Sequence, residues 1–350
     1  MVTIRDVAKK SGFSPSTVSL VLNNATRAKY IPAATKEIVR QAAKELDYKP
    51  NIFARSLRAQ KTDTIGVVVF DMTDPYCTHI LRGIESELNS AGFLYLLSDI
   101  QNNRTRFQKN LEMLLERRIE GLMLIANSLS MNPMVLESLH ASQVPLVVIG
   151  REIDTVSNNS SVTVNNARGG YLALQCLYEL GHREIGFIRG PKNIVDSVHR
   201  WKGIERFAQE VGYEIRHELT VELAAGPTTF LGGMKAAKDL LKSNRPFTAI
   251  LAFDDMTALG AIRALNEAGK DIPRDCSVIG FDDIDAADYY NPPLTTIRQP
   301  MTDMGRQGAS ILLAAVRSSR NKKTPANAHR MLEPELIVRK TTDAPGAINS

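Results

Sequence analysis

The sequence predicts a small all-α head joined to an α/β body of two lobes, each built on a doubly wound parallel sheet. Three observations lead to this fold class. Charge is uneven: residues 1–61 hold 12 Lys and Arg against 4 Asp and Glu, yet the 350-residue chain is only +5, so residues 62–350 are mildly acidic. Apolar residues at helical spacing dominate before residue 50, and short apolar runs alternating with helical stretches take over at Thr64. That alternation restarts near Ser161, which implies two similar lobes with a cleft between them.

Bulk properties narrow the class. A chain of 350 residues suggests two or three domains, and 43% hydrophobic with 23% charged content is ordinary for a globular protein. No apolar run approaches the ~18 residues of a membrane span. Met1-Val2-Thr3-Ile4-Arg5-Asp6 lacks the basic and apolar regions of a signal peptide, so a cytoplasmic protein with no membrane partner is expected. Cys77, Cys176 and Cys276 are far apart and odd in number, which fits packing residues in a reducing compartment. Six scattered histidines give no metal signature; His79 and His182 read as surface or capping groups. Neither a metal nor a cofactor is implied.

In the head (residues 1–50), Thr3 can cap a helix from Ile4 to Lys10, with Asp6 placed to meet its exposed N–H groups. Gly12 ends it, since glycine tolerates the left-handed conformation there. Ser14 caps a second helix that opens with Pro15, a favoured first helical residue. Two short helices joined by a tight glycine turn form a helix-turn-helix. On the second helix Val18, Val21 and Leu22 face a small core, while Ser16, Ser19, Leu20 and Asn23 lie opposite, with Pro15 at the edge. Leu20 is either a tolerated surface leucine or a contact to thymine methyls in a major groove. A third helix from about Pro32 to Leu46 presents Ile38, Val39, Ala42, Ala43 and Leu46, and ends before Pro50.

The runs Thr3-Ile4-Arg5-Asp6-Val7-Ala8, Ser14-Pro15-Ser16-Thr17-Val18-Ser19 and Leu22-Asn23 resemble the head of the lactose-repressor (LacI/GalR) family. Tyr48-Lys49-Pro50-Asn51, Ala54-Arg55-Ser56-Leu57 and Ile65-Gly66-Val67-Val68-Val69 continue the match in register. The resemblance implies that the second helix enters the major groove of a pseudo-palindromic operator as half of a homodimer. Thr3 is included in this DNA-binding set. Ser14, Thr17, Ser19 and Asn23 would hold phosphates, and Pro15, Ser16 and Leu20 would read bases. Many members carry Arg where this chain has Leu20, so a bidentate guanine contact is missing.

Residues 51–63 form the hinge and linker. Asn51 can cap Ile52 to Arg58, a helix so short that it orders only against a partner. The family resemblance implies a minor-groove role for this segment, with Asn51 and Ala54 part of the contact, Leu57 wedged between base pairs and Arg58 beside it. The bland alternative is a surface linker whose leucine packs on the body.

The body spans residues 64–340, followed by a tail at 341–350. Strand runs are expected at 65–70, 93–97, 121–125 and 145–149, then at 161–164, 185–188, 249–253 and 277–281. The resemblance extends to sugar-binding periplasmic proteins, in which the chain crosses between lobes more than once. Lobe 1 is expected at about 64–161 and 293–324, and lobe 2 at about 162–292 and 325–340.

Open α/β sheets bind ligands beyond the carboxyl ends of their strands. Asp71, Asp74 and Tyr76 follow the first strand, Gly150-Arg151 the fourth, Asp254-Asp255 and Asp282-Asp283 later ones, and Arg200 is expected at the start of a helix after the Arg189-Gly190-Pro191 loop. Strand-end acids can simply cap the next helix, and for Asp255 and Asp283 that reading stands level with ligand contact. The family match favours Arg200, Asp254 and Asp282 as ligand-binding residues, and Asp71, Tyr76 and Arg151 join them by their place after strands. Carboxylates beside a guanidinium suit a hydroxyl-rich neutral ligand, a sugar or sugar-like effector, with a nucleoside or purine corepressor as the alternative. The resemblance also sets Cys77 where an aromatic often stacks on the ligand, and Gly150 and Asn165 at commonly acidic positions.

Enzyme readings find little support. No G-x-G-x-x-G follows a strand, and neither a P-loop nor a G-x-S-x-G elbow occurs. Paired acids leave a carboxylate-using sugar enzyme as a weaker alternative. A transport binding protein fits the lobes but not the basic head. The expectation is therefore a cytoplasmic, ligand-gated repressor. Residues 341–350 show no heptad pattern, which favours a dimer over a tetramer built on a C-terminal coiled coil.

Overall fold

The computed structural model describes residues 2–23, 26–49, 61–126, 142–150, 159–192, 194–224, 229–243, 245–321, 323–324 and 326–346. The expected hinge residues Asn51, Ala54, Leu57 and Arg58 lie outside this set, as does Arg151. The chain divides into two compact units, Met1–Thr62 and Asp63–Ser350.

The first unit is all-α. Helix α1 (Ile4–Ser11) stops at Gly12, whose φ of 74° is left-handed, and α2 (Pro15–Leu22) follows after two residues. A 3-10 turn (Thr26–Tyr30) leads to α3 (Ala33–Glu45). Val7, Ala8, Val18, Val21, Val39, Ala42 and Ala43 form the core. Ile38, expected on the buried face of α3, is half exposed instead at 50%. The three-helix core is too small to cover every apolar position of that helix.

In the second unit the strands alternate with helices. The first lobe carries β1 (Thr64–Val69), α4 (Pro75–Ser90), β2 (Leu94–Asp99), α5 (Arg104–Glu116), β3 (Gly121–Ile125), β4 (Leu146–Ile149) and β5 (Ser160–Val164). The second carries α6 (Asn166–Glu179), β6 (Ile185–Arg189), α7 (Val195–Val211), β7 (Thr220–Glu222), α8 (Phe230–Leu241), β8 (Ala249–Ala252), α9 (Asp255–Glu267), β9 (Ser277–Asp282), α10 (Asp285–Tyr289) and β10 (Thr295–Arg298). Then α11 (Met301–Arg320) and β11 (His329–Leu332) return to the first lobe, and β12 (Glu335–Ile337) to the second.

Each lobe has a six-stranded sheet, ordered β11-β5-β4-β3-β1-β2 and β12-β10-β9-β8-β6-β7. All pairings are parallel except β10 with β12. Apolar clusters lie on both faces of each sheet, one pair against α4 with α11 and α5, the other against α6 with α7 and α8 with α9. This double covering explains why the central strands read as continuous apolar runs.

The lobe boundaries differ from those expected. Residues 161–164, read as opening the second lobe, belong to β5, which pairs β4 and β11 in the first sheet. An apolar run does not by itself reveal which sheet it joins. The chain crosses at Asn165, at Gln299-Pro300 and at Glu333-Pro334, not near residues 161, 292 and 324. Residues 341–346 are no free tail either. Thr341 is fully buried, its hydroxyl donates to the Val278 carbonyl at 2.7 Å, and the Thr295 N–H donates to it at 2.8 Å.

His182, expected as a surface or capping group, is buried on the second lobe with its ring nitrogens 2.8 Å from Thr248 Oγ1, 3.1 Å from Ser277 Oγ and 2.9 Å from the Asp343 carbonyl. Its position under residues 341–346 removes it from solvent. Among the described residues, no helix is long and apolar enough to cross a membrane.

Candidate functional site

The head supplies the first surface. Ser14, extended at φ −63° and ψ 150°, accepts from the Thr17 N–H at 3.1 Å, and its hydroxyl lies 2.9 Å from that of Thr17. Thr3 donates its N–H and hydroxyl to Asp6 Oδ2 at 2.8 and 2.7 Å, and these bonds pull the Asp6 carboxyl below its ordinary range. Asn23 donates from Nδ2 to the Ser19 carbonyl at 2.8 Å and to its hydroxyl at 3.2 Å. The small polar side chains therefore shape the helix ends before any partner arrives. Val18 and Val21 hold α2 to the core, leaving Pro15, Ser16 and Asn23 exposed. Leu20, read as pointing outward, is half-buried beside Ser19.

The body supplies a cleft of about 370 Å³ at the carboxyl ends of β1, β8 and β9. It gathers Asp71, Tyr76, Arg200, Asp254 and Asp282 from four separate stretches of sequence. Arg200 is its centre. Buried on α7, its guanidinium stacks 3.6 Å from the Phe281 ring centroid and 4.6 Å from that of Phe253. Nε donates to Asn166 Oδ1 at 2.9 Å, Nη1 to the Phe253 carbonyl at 2.6 Å, and Nη2 lies 3.5 Å from Asp282 Oδ1. A flat cation fixed on two aromatic faces and three acceptors keeps one orientation.

The carboxylates differ in how far they are committed. Asp254 caps α9 by accepting from the Thr257 N–H at 2.8 Å. Asp74 caps α4 through the Tyr76 N–H at 2.9 Å, and burial, reinforced by Asp254 and Asp71, raises its carboxyl to about 6. Asp71 accepts from the N–H and hydroxyl of Thr73 at 2.8 and 2.6 Å. Asp282, at a left-handed φ of 117°, accepts from Gln299 Nε2 at 2.6 Å. Burial drives the Asp282 carboxyl up, against the pull of Arg200. Tyr76 is also raised, chiefly by burial, with Asp196 and Asp282 adding to it. A Cβ at Gly150 would meet the Tyr76 hydroxyl at 2.8 Å, so glycine there makes room for the phenol.

Asp255 and Asp283 take neither of the roles weighed for them. Asp255 is fully buried, accepting from the Ile284 N–H at 2.9 Å and Thr296 Oγ1 at 2.5 Å, and burial lifts it to about 8. Asp283 pairs with Arg298 at 2.6 Å and Arg339 at 2.7 Å. Cys77, set by the resemblance at a stacking position, is fully buried in the lobe core. Asn165 caps α6 and donates to Glu333 at 3.1 Å.

Sequence reasoning missed Asp196, Phe230, Leu231 and Gln299, all lining the cleft. Asp196 was recoverable, since it stands four residues before Arg200 and therefore on the same helical face. Its carboxylate accepts from Asn166 Nδ2 at 3.1 Å, tying it to the Arg200 partner. Gln299 has no such signal, because its place depends on where the chain crosses. Among the described residues, no group of three or more His, Cys, Asp or Glu could hold a metal ion. The site can accept from hydroxyls at its carboxylates and donate from Arg200 and Gln299.

Comparison with known proteins agrees with this division. Residues 3–51 match the family described as bacterial regulatory proteins, lacI family, and residues 174–342 match a periplasmic binding protein-like domain. The HTH-type transcriptional repressor PurR of Haemophilus influenzae (strain PittEE) is 35% identical over 341 residues, covering 97% of this chain and 98% of that protein. A complex of the transcriptional regulator CelR with cellobiose shares 30% identity, with a TM-score of 0.72 over 98% of this chain and 100% of that one. The lac repressor dimer bound to operator and the anti-inducer ONPF shares 27% identity, with a TM-score of 0.84 over 98% and 99%.

Proposed function

The chain belongs to the lacI family of bacterial regulatory proteins, a DNA-binding regulator and not an enzyme, and from that premise we propose a cytoplasmic homodimeric repressor governed by a sugar. Its operator affinity responds to a small molecule bound in the body. The α2 face with Pro15, Ser16 and Leu20 reads bases, while Thr3, Ser14, Thr17, Ser19 and Asn23 grip phosphates. Asn51, Ala54, Leu57 and Arg58 complete the DNA contact from the hinge.

The observation that carries the effector reading is Arg200, clamped between two aromatic rings beside Asp282 in a cleft that also holds Asp71, Asp74, Asp196 and Asp254. Several acceptors around one oriented donor match a ligand rich in hydroxyls, each of which can donate. The cellobiose-bound relative supports the sugar. The purine alternative draws on the PurR name of the 35% identical relatives, while the excess of carboxylates disfavours it. Arg151, outside the described residues, is proposed to add a second cation.

A homodimer is supported by β2, an edge strand whose Leu94, Leu96 and Leu97 are exposed. Such an edge is a template for pairing when it is not covered. Two heads then meet a pseudo-palindromic duplex.

Operator affinity titrated against cellobiose, ribose, other sugars and purine bases tests the reading. A sugar is expected to change affinity about tenfold or more, and Arg200→Ala to remove the response while unliganded DNA binding persists. A response to purines alone reverses the effector assignment.

A further inference from the structure

Helix α11 starts two residues after the cleft residue Gln299 and ends at the root of the linker. Its first turn follows Gln299, the residue at the crossing between lobes, which lines the cleft and donates from Nε2 at 2.6 Å and from its N–H at 3.3 Å to Asp282 beside it at the end of the second lobe's sheet. At the far end of this 20-residue helix, about 30 Å long, stands Arg320. Its Nε donates to Glu120 Oε2 and its Nη2 to Asp63 Oδ1, both at 2.6 Å, and the guanidinium lies 5.1 Å from the Phe93 ring centroid.

Asp63 is held from every side. Its N–H donates to Glu120 Oε1 at 2.7 Å, its carbonyl accepts from the Leu94 N–H at 2.9 Å, and its φ of 47° is left-handed. This residue begins the body unit, directly after the linker. Between the two ends, α11 is fixed to its lobe. Met301, Met304, Ala309, Leu312, Leu313 and Val316 are buried in the core. Gly83 and Gly305 let α4 and α11 approach so closely that a Cβ would fall 2.0 Å from the Thr302 carbonyl oxygen or 2.1 Å from that of Ile80.

We propose that Arg320 is a positioning residue that makes the linker root move as one body with the first lobe, so that a lobe rotation sensed at Gln299 reaches the linker. The inference rests on the regulator reading above. Asp63 has three anchors, a backbone pairing with Leu94, a bond from its N–H to Glu120 and a charge clamp to α11. Only the clamp ties it to the helix that starts after Gln299. Without the guanidinium, the charge clamp from Asp63 to α11 is lost and the root is freer to move against that helix.

The test uses the full-length protein and a duplex that the unaltered chain selects from random DNA. Asp282→Asn, which weakens the acceptor for Gln299, is expected to change affinity for that duplex about fivefold or more. In the Arg320→Gln background the same substitution is expected to change it less than about twofold, a coupling that a double-mutant cycle isolates. Arg320→Gln alone should weaken binding about tenfold, with Arg320→Lys intermediate. Arg306→Gln, on the same helix but paired with exposed Asp303, should leave it unchanged. Asp63→Asn breaks the clamp from its more exposed side, and gives the same direction of effect if Arg320→Gln fails to fold. Purely additive effects of Asp282→Asn and Arg320→Gln overturn the inference, as does unaltered affinity in Arg320→Gln and Asp63→Asn. A chain that selects no duplex overturns the regulator reading itself, and the inference with it.

Discussion

Asp74 is a carboxylate asked to do two things at once, to cap α4 and to line the cleft, and its ionisation bears the cost. Its folded value of about 6 stands above the ordinary 3.8 of an aspartate, chiefly through burial. The unfolded chain therefore releases this proton first as pH rises, and Asp74 withdraws stability progressively between about 4 and 6, leaving it lower above that window. Asp74→Asn keeps an oxygen for the cap and removes the charge. It is expected to stabilise the protein at pH 7 by about 1–2 kcal/mol and to flatten the pH dependence of denaturant midpoints over that window. At this scale the sequence was informative where chemistry is local, as at the Ser14 cap, and the family resemblance singled out Asp254, Asp282 and Arg200, which line one cleft. It was silent where a residue's role depends on a distant partner, as with Gln299 against Asp282 and His182 under Asp343.

The elements that were legible follow from short-range periodicity, whereas the short strands β7, β10, β11 and β12 were not expected. The cap at Ser14 bounds a real helix, and the apolar runs from Ile65 to Val69 and from Ser277 to Phe281 form strands. What periodicity does not carry is membership. The run from Ser161 to Val164 has the same pattern in either sheet, and only pairing with β4 and β11 assigns it. The crossing of α4 with α11 was likewise invisible, since glycines within helices read as weak helix formers until a neighbour's backbone is seen against them. Gly305→Val places a side chain 2.1 Å from the Ile80 carbonyl oxygen, so the helices must separate. Thermal or denaturant unfolding is expected to show a loss of about 3 kcal/mol, whereas the same change at exposed Gly269 would strain only a loop through its φ of 75°.

For the whole molecule, the exposed leucines of β2 bear on assembly. Replacing Leu94 and Leu96 by lysine puts like charges on any edge-to-edge pairing, and sedimentation is expected to show a monomer with an unchanged circular dichroism spectrum. A dimer that survives both lysines would move the interface elsewhere. The order in which the chain visits its lobes has one more effect, during synthesis. The second lobe is drawn mostly from one continuous stretch between Asn166 and Arg298, while the first opens at β1 and closes only with α11 and β11. On a ribosome emitting about 5–20 residues per second, the lobe begun first is finished last. Its apolar sheet face, the seat of Ile65, Val67 and Met123, waits for Met304, Leu312 and Val316 until nearly the whole protein has emerged. Nascent chains stalled before residue 301 should therefore hold an almost complete second lobe beside an uncovered first one, the state in which this protein most needs a chaperone.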